Sequence, residues 1–139
     1  MTEIEKNNLT EKFEPLINKI TKQYSDKVIT QALIEIDFNI LVLSVGELQK
    51  RKNHQVIIKA IANLKNDKIK YIICGQGVLE NQLKALVVKN NLQNQVFFPG
   101  YRQDIPEIMS ACDIFAHPSV REGLGLASLE AMASGLPLI

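Results

Sequence analysis

The chain has 139 residues, within the roughly 100–200 residues of a single domain. Its 46% apolar and 22% charged content is that of an ordinary globular protein, which excludes disordered, collagenous and disulfide-built classes. Sixteen Lys and Arg against fifteen Asp and Glu leave a formal net charge of +1, so no long-range field favours nucleic acid or an anionic membrane, and any bound anion must be held locally.

The polar amino terminus MTEIEKNNLTEKFE carries no signal-peptide core, and nowhere does a run of about 18 apolar residues occur that could span a bilayer. Residues 1–38 form a first segment of helical or irregular character. In it, Phe13, Leu16, Ile17 and Ile20 make one amphipathic face if Pro15 occupies the first turn of the helix. The composition changes at Asn39. From there short β-branched runs alternate with helical periodicity, the pattern of an α/β domain with a Rossmann-like parallel sheet and flanking helices. Strands are expected at Leu41 to Val45, Ile69 to Cys74, Gln95 to Phe98, Asp113 to Ala116 and Pro137 to Ile139. Most are continuously apolar, as strands buried on both faces must be.

Between the strands, Ile57, Ala60, Ile61 and Leu64 recur at helical spacing, as do Leu79, Leu83, Leu86 and Val87. A third helix is expected to start at Asp104, with Pro106 in its first turn and Glu107 placed to complete a capping box. A fourth should run from about Leu126 to Ser134, stopped by Gly135 and Pro137. Cys74 and Cys112 lie at or beside apolar runs, which suits reduced core thiols in a cytosolic setting. Loose attachment to the inner face of a membrane stays open.

The chemistry concentrates in His117 to Ile139, HPSVREGLGLASLEAMASGLPLI. Here a strand feeds a glycine-containing loop and then a helix N-terminus, where free N–H groups and the helix dipole meet an anion such as phosphate. Glu122 lies in the loop, within reach of a sugar hydroxyl. Glu130 lies on the helix, where a carboxylate can accept two hydrogen bonds from a diol such as a ribose. The plain alternative is two solvated glutamates beside turn-forming glycines, which leaves the rest of the string unexplained. Gly75 and Gly77 form a G-x-G turn, but Glu80 at the third glycine position rules out a dinucleotide fingerprint. His54 and His117 read as packed or hydrogen-bonded residues rather than catalytic ones.

The string EGLGLASLEAMASGLPLI resembles the E-x7-E signature of retaining glycosyltransferases of family 4 type, which have the GT-B fold. SVGELQKRKNH resembles that family's strand, glycine turn and lysine; ICGQG resembles its second glycine turn. VFFPGYRQDIPEIMSACDIFAHPS resembles the nucleobase-side loop and the helix and strand leading to the E-x7-E loop. The match covers Asn39 to Ile139. It implies the donor-binding, carboxyl-terminal half of such an enzyme, incomplete at its end and without the amino-terminal acceptor domain. The reaction implied is transfer of a sugar from a nucleoside diphosphate sugar to an acceptor hydroxyl, in polysaccharide or glycoconjugate synthesis, with retention and without a metal or other cofactor.

Carried over residue by residue, the resemblance makes Glu122 the catalytic contact to the transferred sugar and Glu130 the ribose contact. Gly46, Lys52 and Gly77 would adjoin the diphosphate, although Lys50, Arg51 and Lys52 also read as one solvated basic turn. The backbone of Leu124, Gly125 and Leu126 would face sugar and phosphate, and Tyr101 and Arg102 would line the base pocket. The implied partners are a nucleotide sugar and an acceptor glycan or lipid-linked sugar. One departure stands out: Glu47 occupies a position where many members carry an arginine. A carboxylate there repels phosphates unless it turns away or finds a cationic partner. Two other readings compete: a non-catalytic nucleotide-sugar-binding remnant or one piece of a split enzyme, and a sugar-nucleotide epimerase, which would not need the E-x7-E string.

Overall fold

The computed structural model describes residues 40–139; the first segment and its expected helix lie outside the described residues. Four strands, β1 (Ile40–Val45), β2 (Ile69–Cys74), β3 (Val96–Gly100) and β4 (Ile114–Phe115), form one sheet in the order β3-β2-β1-β4. All pairings are parallel, from Ile40 opposite Ile69 to Val45 opposite Cys74 along β1 and β2. Leu138 adds a parallel bridge beside Phe115. Each connection is a crossover through a helix: α1 (His54–Leu64), α2 (Glu80–Lys89) and α3 (Ile105–Ala111), with α4 (Leu126–Ala133) following β4.

The continuous apolar strands sort by alternation into two cores. Leu41, Leu43, Ile72 and Cys74 join Ile108, Met109 and Ala131 of α3 and α4 on one face. Val42, Tyr71 and Ile73 join Ile58, Ile61, Leu83 and Val87 of α1 and α2 on the other. Helices cover both faces, so both side-chain sets of a strand must be apolar. Large core side chains such as Leu41, Ile73 and Phe115 are fully buried, and each contributes about 1.5–3 kcal/mol of burial free energy.

Several local expectations are revised. β3 runs on to Gly100 through Pro99, which an edge strand tolerates because a proline there need not donate to a ladder. In α1 the buried stripe is His54, Ile58 and Ile61, while Ala60 and Leu64 face solvent. The spacing His54 to Ile58 to Ile61 is itself helical, and taking the histidine as inward-facing sets the true rotation of the helix. At α3 the residue before the helix is Asp104 as expected, yet its side chain forms no cap. Arg102 Nε and Nη2 donate to the two Asp104 carboxylate oxygens at 2.9 and 3.0 Å, and a bidentate charged pair outcompetes a capping bond. α4 ends as expected: Gly135 takes φ 76°, and the N–H groups of Gly135 and Leu136 donate to the Met132 and Ala131 carbonyls, a Schellman closure.

Candidate active site

β1 is flanked by β2 on one side and β4 on the other, so chain direction across the sheet reverses there. Ligands of open α/β sheets bind in the crevice at the carboxyl ends of such strands. The loops leaving β1 and β2 interlock at this edge. Gly46 N–H donates to the Cys74 carbonyl at 2.9 Å, and Leu48 N–H to that of Gln76 at 3.0 Å. Gly75 has φ 150°, and a Cβ there would stand 1.9 Å from the Gly46 carbonyl oxygen. One on Gly77 would meet the Leu48 carbonyl oxygen at 2.6 Å. Gly46 lies under the Lys52 side chain, whose Nζ is 3.3 Å from the Cβ position. Bare backbone is therefore what lets the two turns pack together and Lys52 fold back over the first.

Lys52, from the 3-10 turn Lys50–Lys52, meets Glu122 from the loop after β4. Lys52 Nζ donates to Glu122 Oε1 at 2.5 Å, with the two side chains only 13% and 19% exposed. Ser119 Oγ donates to the same oxygen at 2.7 Å; Arg51 Nη1 lies 3.6 Å from it and His117 Nε2 3.9 Å. The Lys52 hydrogen bond, then that of Ser119, pulls the Glu122 carboxyl down to a pKa of about 2, so it is ionised throughout the physiological range. Val120 N–H donates to the Arg51 carbonyl at 2.9 Å, tying the two loops together through the backbone as well. Glu47 finds the cationic partner it needs in Arg51, whose Nη2 lies 3.5 Å away.

The remaining expected site residues group less tightly. Tyr101 and Arg102 line a cavity of about 500 Å³ together with Gly46, Glu47, Gly75 and Gln76, which puts the loop after β3 beside both glycine turns. Gly125 takes φ 62° at the residue before α4, with Leu124 and Leu126 exposed on either side of it. Glu130 is exposed on α4, and no ion pair joins it to the Lys52 and Glu122 cluster among the described residues. A larger cavity, about 640 Å³, lies between α1 and α2 and contains none of the expected site residues.

Arg51 and Ser119 were not singled out from sequence. Their signal was slight, a basic residue next to Lys52 and a hydroxyl three positions before Glu122. Beneath the cleft, His54 Nδ1 lies 3.3 Å from the Tyr71 hydroxyl. Tyr71 donates to Ser44 Oγ at 2.8 Å, and Ser44 to the Ala116 carbonyl at 2.6 Å. The Ala116 carbonyl can only accept, so the Ser44 hydroxyl proton is committed to it and the Tyr71 proton to Ser44. Both cysteines are free and buried. Burial pushes the Cys74 thiol up to about 12 and that of Cys112 higher still, which removes them from nucleophilic chemistry. No helix among the described residues is long and apolar enough to cross a membrane.

A parallel sheet with helices on both faces is the fold this chain shares with GT-B glycosyltransferases. The chain belongs to the glycosyl transferases group 1 family, whose model matches residues 28–139. It is 39% identical over 98 residues to a Campylobacter jejuni protein, N-acetylgalactosamine-N,N'-diacetylbacillosaminyl-diphospho-undecaprenol 4-alpha-N-acetylgalactosaminyltransferase, covering 70% of this chain and 27% of the relative. It is 37% identical over 136 residues to UDP-Gal:alpha-D-GlcNAc-diphosphoundecaprenol alpha-1,3-galactosyltransferase of Escherichia coli, covering 93% and 33%. The crystal structure of Anabaena HepE in complex with UDP superposes with a TM-score of 0.68 at 28% identity, over 87% of this chain and 33% of that one. WaaG, a glycosyltransferase involved in lipopolysaccharide biosynthesis, gives 0.68 and 28% over 85% and 34%. The chain thus spans about a third or less of the length of these relatives.

Proposed function

We propose that this chain is the donor-binding part of an enzyme that moves a sugar from a nucleoside diphosphate sugar to an acceptor hydroxyl, keeping the anomeric configuration. The observation that carries this reading is the meeting of Lys52 and Glu122 at 2.5 Å across the switch point of the sheet. It supplies a cation for a departing diphosphate and a carboxylate for the sugar within one cleft. Lys52 and the N–H groups around Gly46 and at the start of α4 stabilise the leaving group, so the charge that a metal ion would neutralise is met by the protein. Glu122 orients the sugar. Glu130 takes the ribose, Gly77 and the backbone of Leu124, Gly125 and Leu126 border the phosphates and sugar, and the cavity at Tyr101 and Arg102 takes the base.

A uridine nucleotide is the donor class favoured by the UDP complex of HepE. A lipid-linked sugar acceptor is favoured by the diphospho-undecaprenol substrates named for the Campylobacter and Escherichia relatives. Those names support work in polysaccharide or glycoconjugate assembly, and the reading adds a cytoplasmic setting at the inner face of the membrane. Residues from 39 onward form the donor domain, and the acceptor side of the cleft comes from protein beyond this chain. The chain by itself binds donor without transferring sugar.

Thermal unfolding with a panel of nucleoside diphosphate sugars tests the reading, since a ligand at about 100 times its Kd adds about 2.7 kcal/mol of stability. A midpoint raised by at least one such donor is expected, with the rise lost in Lys52→Ala. If no nucleotide raises it, the donor-site assignment is wrong. Turnover by the chain alone, abolished by Glu122→Ala, would show that the acceptor half is not needed.

A further inference from the structure

We infer that Arg51 is the second cation of the diphosphate seat, acting beside Lys52; this rests on the donor-site reading above. Four groups converge on one oxygen, Glu122 Oε1: Lys52 Nζ at 2.5 Å, Ser119 Oγ at 2.7 Å, Arg51 Nη1 at 3.6 Å and His117 Nε2 at 3.9 Å. A carboxylate oxygen carries the same kind of charge and accepts the same bonds as a phosphate oxygen. The donors gathered around Glu122 Oε1 are therefore of the kind that a phosphate oxygen beside it can also engage.

Arg51 is held for this role from two sides. Its carbonyl accepts the Val120 N–H at 2.9 Å, which fixes the turn against the loop that carries Glu122. Glu47 holds Nη2 at 3.5 Å, leaving Nη1 on the side of the cleft. The same contact sets the Glu47 charge against the guanidinium instead of against incoming phosphates, so the acidic residue after Gly46 becomes a positioning group for a cation. Lys50, in the same turn, forms no ion pair with Glu122 among the described residues, so proximity in sequence to Lys52 is not what distinguishes Arg51. A guanidinium also offers a planar fork to two phosphate oxygens, which an ammonium cannot.

NMR titration of the full chain with UDP and with uridine separates phosphate from base binding. Arg51→Ala is expected to weaken UDP binding about tenfold, the size of a lost charge-assisted hydrogen bond, and to leave uridine binding unchanged. Arg51→Lys should recover part of the loss, and its conserved charge and length guard against misfolding of the alanine variant. Lys50→Ala removes the same charge from the same turn and should change UDP affinity less than about twofold, because among the described residues Lys50, unlike Arg51, forms no ion pair with Glu122. The inference is overturned if Arg51→Ala and Arg51→Lys bind UDP as the native chain does, or if Lys50→Ala costs as much as Arg51→Ala. If the native chain binds no UDP at all, the donor-site reading itself falls; UDP binding that ignores Arg51 removes only the second cation.

Discussion

His54 is the residue whose burial has the clearest measurable consequence. It lies at the start of α1, only 3% exposed, between the Tyr71 hydroxyl and the turn that carries Glu47 and Lys52. Burial, partly offset by the Glu47 backbone and reinforced by the Lys52 charge, lowers its pKa from 6.5 to about 4. The unfolded chain therefore binds a proton near pH 6.5 that the native chain refuses until about pH 4, and stability is lost as pH falls through that interval. The linkage amounts to roughly 3 kcal/mol. Glu122 behaves alike in sign but lower on the scale: its depressed carboxyl, from 4.5 to about 2, contributes stability above pH 4.5 that disappears toward pH 2. Urea midpoints measured from pH 7 to pH 4.5 should fall for the native chain and stay nearly level for His54→Gln. Parallel curves for the two proteins would mean that the imidazole is not the group responsible.

At the scale of elements, the two glycine turns behave as one piece because their backbones touch. Gly75→Ala puts a methyl group into the Gly46 carbonyl and forces φ 150° on a residue with a side chain; the expected cost is at least about 3 kcal/mol. Gly123, in the loop before α4, has open space around its Cβ position, so Gly123→Ala should move stability by no more than about 0.5 kcal/mol. Melting curves of the two variants decide this, and similar losses would refute the interlock. The elements themselves were largely legible in the sequence, because a strand buried on both faces is almost continuously apolar, as β1 is apart from Ser44 and β2 apart from Lys70. The rotation of α1 was not, since a histidine on the inner face does not announce itself as core. The cap of α3 misled for a related reason: Asp104 has the right identity and position, but sequence does not show that Arg102 claims its carboxylate. In the cleft, Lys52 and Glu122 were readable from their motifs. Arg51 and Ser119 were not, because both matter only where the turn of Lys52 meets the Glu122 loop, some 70 positions apart in sequence.

At the scale of the whole molecule, one side of α4 is left uncovered among the described residues. Leu126, Leu129 and Met132, three residues apart, form an exposed stripe on a helix whose Ala131 is fully buried against the sheet, and Leu124 and Ile139 are exposed as well. Contiguous apolar surface of this kind promotes association, so the chain should sediment as a concentration-dependent mixture, and Leu129→Lys with Met132→Lys should shift it toward monomer. A strictly monomeric native chain at high concentration would show the stripe to be harmless. The strand order has a kinetic consequence too. β1 lies at the middle of the sheet, yet its pairing with β4 joins Val42 to Ile114 and Leu43 to Phe115, after β2 and β3 have already been made in chain order. Pairings between distant segments are slow because the intervening chain must first be closed into a loop. During synthesis the β1–β3 layer can assemble while the E-x7-E loop is still unmade, so the cleft is the last part of the described residues to mature, and a refolding chain should pair β1, β2 and β3 before Lys52 meets Glu122.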